Sequence, residues 1–157
     1  MKRFISILVL LATMSFVASA QPSFAKQFKG KPGYSCVTLS KAALRMMPLQ
    51  DKMGVNVGSV ADKLDRLEIV KANTPQASKN LKSVCEQWIE TDGFEDFIDV
   101  DEEGEQASIF IKTGEEQNVF LMLAVEDGET AVIILYGKMT VEEMRGIGRL
   151  RCQEGNC

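Results

Sequence analysis

The 157-residue chain carries 22 carboxylates and no histidine, so any acid–base chemistry falls to paired acids. Asp92, Glu95 and Asp96 form the most suggestive group, set around Phe94 and Phe97 with Trp88 close in sequence. Acids beside aromatics can hold a sugar, and two well-spaced carboxylates can hydrolyse a glycosidic bond. More often such a group is a helix–strand packing point with a solvated rim. The run Asp99-Val100-Asp101-Glu102-Glu103-Gly104-Glu105 invites a calcium-loop reading. With Asp99 as the first ligand, the twelfth position is Phe110, where a bidentate Glu is required. The run therefore reads as a solvated hairpin turn whose charges oppose edge-to-edge pairing.

The missing histidine removes Ser-His-Asp and Cys-His catalysis and His-ligated zinc or haem. No Gly-rich phosphate loop is present. Met46, Met47, Met53, Met122, Met139 and Met144 lack the regular spacing of copper ligands and read as core filler. No cofactor, metal or catalytic residue is expected. A net charge of −4, which becomes −6 without Lys2 and Arg3, argues against nucleic acid as a partner. Lys26, Lys29, Lys31, Lys41 and Arg45, interleaved with Phe24, Phe28 and Tyr34, make one basic stretch that could touch an anionic surface.

The first twenty residues read as an export signal. Lys2 and Arg3 precede an apolar stretch from Phe4 to Val17, and Ala18-Ser19-Ala20 is a small-x-small cleavage site. That stretch is shorter than the roughly 20 residues that span a bilayer, and no later segment is a good spanning candidate. The mature chain is expected in the periplasm or outside the cell, where disulfides are permitted. Cys36, Cys85, Cys152 and Cys157 allow three pairings. Cys152 and Cys157 bracket a short loop that could close on itself, and Cys85 also suits a buried thiol.

Around these residues the elements follow from local signals. Residues 21–33 carry prolines, glycines and lysines and are predicted to be a flexible leader. A single domain is expected over 34–151, with a cysteine-bracketed tail at 152–157. Ser35 to Leu39 suggests a strand, Ser40 caps a helix from Lys41 to Met47, and Ser59 caps another from Val60 to Leu64. Leu67, Ile69 and Val70 suggest a second strand. Thr74-Pro75 starts a helix, with Leu81, Val84, Cys85 and Trp88 on one face. Four strands follow, Phe94 to Val100, Ala107 to Lys112, Asn118 to Val125 and Thr130 to Tyr136, the last two joined by an Asp127-Gly128 hairpin turn. Thr140 and Glu143 make a capping box for a final helix. The pattern is α+β: a largely antiparallel sheet with a C-terminal four-strand meander and helices packed on it.

The last two strands are apolar on both sides. Val119, Leu121, Leu123 and Val125 alternate with Phe120, Met122 and Ala124; Val132, Ile134 and Tyr136 alternate with Ala131, Ile133 and Leu135. Both faces of the sheet therefore want cover. Intramolecular cover is favoured, helices over one face and a second layer or a strongly curled sheet over the other; Phe120, Met122, Ile133 and Leu135 are the candidate interface residues if a partner or second copy supplies it.

The segments Ser40-Lys41-Ala42-Ala43-Leu44-Arg45-Met46-Met47, Lys63-Leu64-Asp65-Arg66-Leu67-Glu68-Ile69-Val70 and Ala131-Val132-Ile133-Ile134-Leu135-Tyr136-Gly137-Lys138-Met139 complete the picture. Through them the chain resembles domain of unknown function 4252, small exported proteins of Bacteroides-like bacteria. The resemblance implies an envelope location and transfers no functional residues. Some members resemble lipoproteins, but this chain lacks the lipid-accepting cysteine. The expectation is an exported, non-enzymatic binding or structural domain, with a carboxylate-based hydrolase or carbohydrate-binding protein as the alternative.

Overall fold

The computed structural model describes residues 22–46 and 60–148. The export segment, the Ser59 cap and the Cys152–Cys157 loop lie outside them. Six strands form one antiparallel sheet: β1 Tyr34–Ser40, β2 Leu64–Ala72, β3 Glu95–Glu102, β4 Glu105–Lys112, β5 Asn118–Glu126 and β6 Glu129–Gly137. Their spatial order is β1-β2-β6-β5-β4-β3. Strands β3 to β6 are the expected meander, and β2 closes onto β6 across a long connection. Helices α1 Lys41–Met46, α2 Pro75–Asp92 and α3 Val141–Gly148 complete the α+β architecture.

Local chemistry sets the boundaries. The Thr74 hydroxyl accepts the Ala77 N–H at 3.2 Å, Pro75 opens α2, and left-handed Gly93 closes it. Asp127 and Gly128 both adopt positive φ in the β5–β6 turn, as the Asp-Gly pair requires. Thr140 and Glu143 cap α3 reciprocally, at 3.2 Å and 2.9 Å. The helix expected over Val60–Leu64 is a short 3-10 turn, Ala61–Lys63. Leu64 is already paired with Gly137, so strand geometry begins there and leaves no room for a full helical turn.

The sheet has a core on each side. On the first face, α2 lays Leu81 and Cys85 over Val70, Leu121, Val132 and Ile134, and buried Ser78 and Thr130 share a 2.5 Å hydrogen bond beneath it. On the second face, Leu44 of α1, Val60, Met139, and Met144 and Ile147 of α3 cover Leu64, Leu67, Phe120 and Leu135.

Residues 22–33, predicted to be a flexible leader, are instead built into the first core. Phe24–Gln27 forms a 3-10 turn, and Phe24, Ala25 and Phe28 are buried. Phe24 stacks on Trp88 at 5.1 Å, and Phe28 meets Tyr34 at 4.9 Å. Two aromatic anchors four residues apart outweigh the flexibility that the surrounding proline, glycines and lysines suggest.

Candidate functional site

Two charged residues, Arg66 and Glu68, interrupt the row that β2 continues with Val70 and Ala72. Both lie on the first face, because the register pairs Arg66 with Tyr136 and Glu68 with Ile134. Glu68 is completely buried. A buried carboxylate needs a counter-charge and hydrogen bonds. Arg66 Nε lies 2.9 Å from one of its oxygens, and the other accepts the Ala25 N–H at 3.0 Å. The Arg66 guanidinium sits over the Tyr136 ring, 4.1 Å from its centre. Burial, then the nearby Glu68 charge, pushes the Tyr136 phenol up to about 12.

This arrangement ties the 22–28 segment to β2 and sets Lys26, and Lys29 just after it, beside β1. A hollow of about 380 Å³ results, lined by Ser23, Lys26, Lys29, Cys36, Thr38 and Arg66 among others. Three of those side chains are cationic and two carry hydroxyls. The Cys36 thiol is pushed up by burial and by Glu68, with Lys29 acting against that rise. The hollow suits a carboxylate or another small anion.

Strand β1 bounds this hollow and is one edge of the sheet. Its sequence, Tyr-Ser-Cys-Val-Thr-Leu-Ser, holds no charge and no proline, and its pairing with β2 has no bulge. Within the strand itself there is thus no charge, proline or bulge to blunt the edge. The opposite edge, β3, carries Glu95, Asp96, Asp99, Asp101 and Glu102 and a bulge near Phe97.

The second face adds an apolar band. Val37, Ile69, Ile133, Met122, Ile109 and Ile98 lie side by side, one from each strand, in direct register. Beside this row run Lys71, Ala131, Ala124, Ala107 and Val100. The helices on this face cover the Leu67–Leu135–Phe120 side, and the band's ends stay open: Val37 is 45% exposed and Val100 38%.

Of the four candidate interface residues, Phe120, Met122 and Leu135 are buried within the chain's own second core, and Ile133 is half-buried in the band. Phe120, Met122 and Leu135 thus have intramolecular cover, and the exposed apolar surface is confined to the ends of the band at Val37 and Val100. In the group Asp92, Glu95 and Asp96, Asp92 pairs with Lys112 at 2.6 Å, and the neighbouring Phe94 packs edge-on against Trp88 at 4.9 Å. A smaller hollow of about 230 Å³ holds Glu86, Asp99 and Asp101, where Ser108 donates to Asp99 at 2.5 Å. The acidic run is a tight hairpin turn at Glu103-Gly104. Among the described residues, no three acids or cysteines are placed to hold a metal ion, and no helix is long and apolar enough to cross a membrane. Cys36 and Cys85 are free thiols.

Sequence reasoning missed the Arg66–Glu68–Tyr136 cluster. Its signal was available: charges at alternate positions in a strand otherwise apolar on that face must be paired. No curated protein and no solved structure matches the chain. Residues 28–147 match the family model described as Domain of unknown function (DUF4252), and the chain belongs to that family.

Proposed function

We propose that this protein is a non-enzymatic, exported binding domain of the cell envelope that takes up an extended protein segment as a seventh strand on β1. The observation that carries this reading is the contrast between the two sheet edges. Strand β1 carries no charge, proline or bulge, whereas β3 is densely acidic. Strand addition supplies main-chain hydrogen bonds along the edge, and the flanking surfaces choose the sequence.

Those surfaces differ on the two sides of β1. Side chains of an added strand alternate between faces. On the first face they meet Lys26 and Lys29, which favour acids. On the second they extend the row that begins with Val37 and Ile69, which favours aliphatic residues. The preferred partner segment therefore alternates aliphatic and acidic residues.

A labelled synthetic peptide alternating Ile and Asp tests this. Fluorescence anisotropy should show binding that weakens with salt, and amide exchange should slow in β1. A peptide with Lys in place of Asp should bind much less. Equal binding of both peptides, or protection confined to another part of the chain, would overturn the reading.

A further inference from the structure

The partner class named above has a representative in this chain. We infer that strand β3 of a second copy is an occupant of the β1 edge, so that copies join head to tail; this rests on the strand-addition reading of β1. Over its regular part, β3 reads Ile98-Asp99-Val100-Asp101. Ile98 and Val100 lie on the second face, in rows with Ile109 and Ala107. Asp99 and Asp101 lie on the first face, opposite Ser108 and Gln106. That is the alternation the β1 surroundings select.

Direction also fits. Every neighbouring pair in the sheet is antiparallel, so β1 and β3 at its two ends run in opposite directions. A second copy displaced along the sheet brings its β3 against β1 in antiparallel sense, with no inversion. If the row ending at Val37 continues into the neighbour's Ile98, Asp99 falls opposite Cys36, which lines the basic hollow. The apolar band then becomes continuous across the junction.

Charge selects this junction over the others. Two β1 edges would bring Lys26 and Lys29 of both copies together, and two β3 edges would oppose five acids with five. Only the mixed pairing sets cations against carboxylates. Such a contact is heterologous, and it builds a ring or an open filament according to the rotation per copy. Each copy advances the sheet by six strands, roughly 29 Å at about 4.8 Å each.

Charge reversal tests the inference in the full protein. Lys26→Glu with Lys29→Glu makes the β1 side acidic; Asp99→Lys with Asp101→Lys makes the β3 side basic. Each double variant, with an unchanged circular dichroism spectrum and melting curve, should lose self-association in sedimentation by about tenfold. Mixing the two, or combining all four changes in one chain, should restore it. Association that survives either reversal, or fails to return in the mixture, overturns the head-to-tail junction. A wild-type protein that stays monomeric at high concentration overturns it too. If the Ile–Asp peptide still binds β1 in that case, only the second-copy assignment falls; if neither associates, the reading of the edge falls with it.

Discussion

Arg66 stacks on Tyr136 while its Nε faces the wholly buried Glu68. One guanidinium thus neutralises a core carboxylate and covers an aromatic ring, and the carboxylate in turn holds Ala25. The N-terminal segment is anchored through this relay as well as through Phe24 and Phe28.

Replacing Glu68 should therefore do more than weaken one strand. Glu68→Ala removes the buried carboxylate that faces Arg66 and leaves the Ala25 N–H without its acceptor, an expected loss of about 3 kcal/mol. Urea unfolding reads the loss, and amide exchange at residues 24–28 should accelerate more than in α2. A uniform acceleration would contradict the anchoring role.

Gly137 and Gly146 should respond in opposite ways. A side chain at Gly137 would collide with the Lys63 backbone, where β2 and the end of β6 cross. The crossing is fixed further by the Lys138 N–H, which donates to the Lys63 carbonyl at 3.0 Å. Gly137→Ala should cost about 1–3 kcal/mol. Gly146 in α3 has open space around it, so Gly146→Ala should add about 0.5–1 kcal/mol. Thermal melts of the two variants should shift in opposite directions.

Phe120→Ala empties a fully buried position between β5 and the covering helices, and should cost about 3–5 kcal/mol. Val37→Thr at the open edge should change stability by less than about 0.5 kcal/mol. The same Val37 change should weaken capture of the Ile–Asp peptide. A stable Phe120→Ala variant would mean that the second face is not sealed as described.

Alkaline pH should expose two buried groups. Cys85 is pushed up to about 12, first by burial and then by Glu86, and Tyr136 also reaches about 12. Both protons are held more tightly in the folded state, so their stabilisation is complete below the unfolded values, near 8.5 and 10. It is lost as pH rises from there toward about 12, at roughly 1.4 kcal/mol per unit of separation for each group. Urea midpoints taken at stepped pH should be flat near neutrality and fall above about pH 9. Cys85→Ala should remove the earlier part of the fall. At the acid end, Lys63 holds Glu143, and Lys41 holds Asp65, below the usual carboxylate range. Those contributions persist above that range and disappear as pH drops through the lowered values.

Much of the scaffold was legible because its signals are local. Thr74-Pro75, the Leu81–Trp88 stripe, Asp127-Gly128 and the Thr140–Glu143 box each act within a few residues, and each formed as read. Two features were hidden by distance. Phe24 and Phe28 become anchors only when α2 and β1 arrive beside them. The position of uncharged β1 at the sheet edge depends on strand order, which alternation within a strand cannot disclose. The apolar character of both faces was read correctly, but which row would be covered depended on where α1 and α3 landed.

The place of β2 between β1 and β6 has a consequence for how the chain reaches this shape. Once β1 and β2 have emerged, they can form only a two-stranded ribbon, marginal by itself in water. Residues 73–128 must follow before β6 can seal the ribbon's inner side. Throughout that interval the nascent ribbon is an incomplete, sticky template, and contacts this distant in sequence form slowly. A holding chaperone would have its greatest effect in that window.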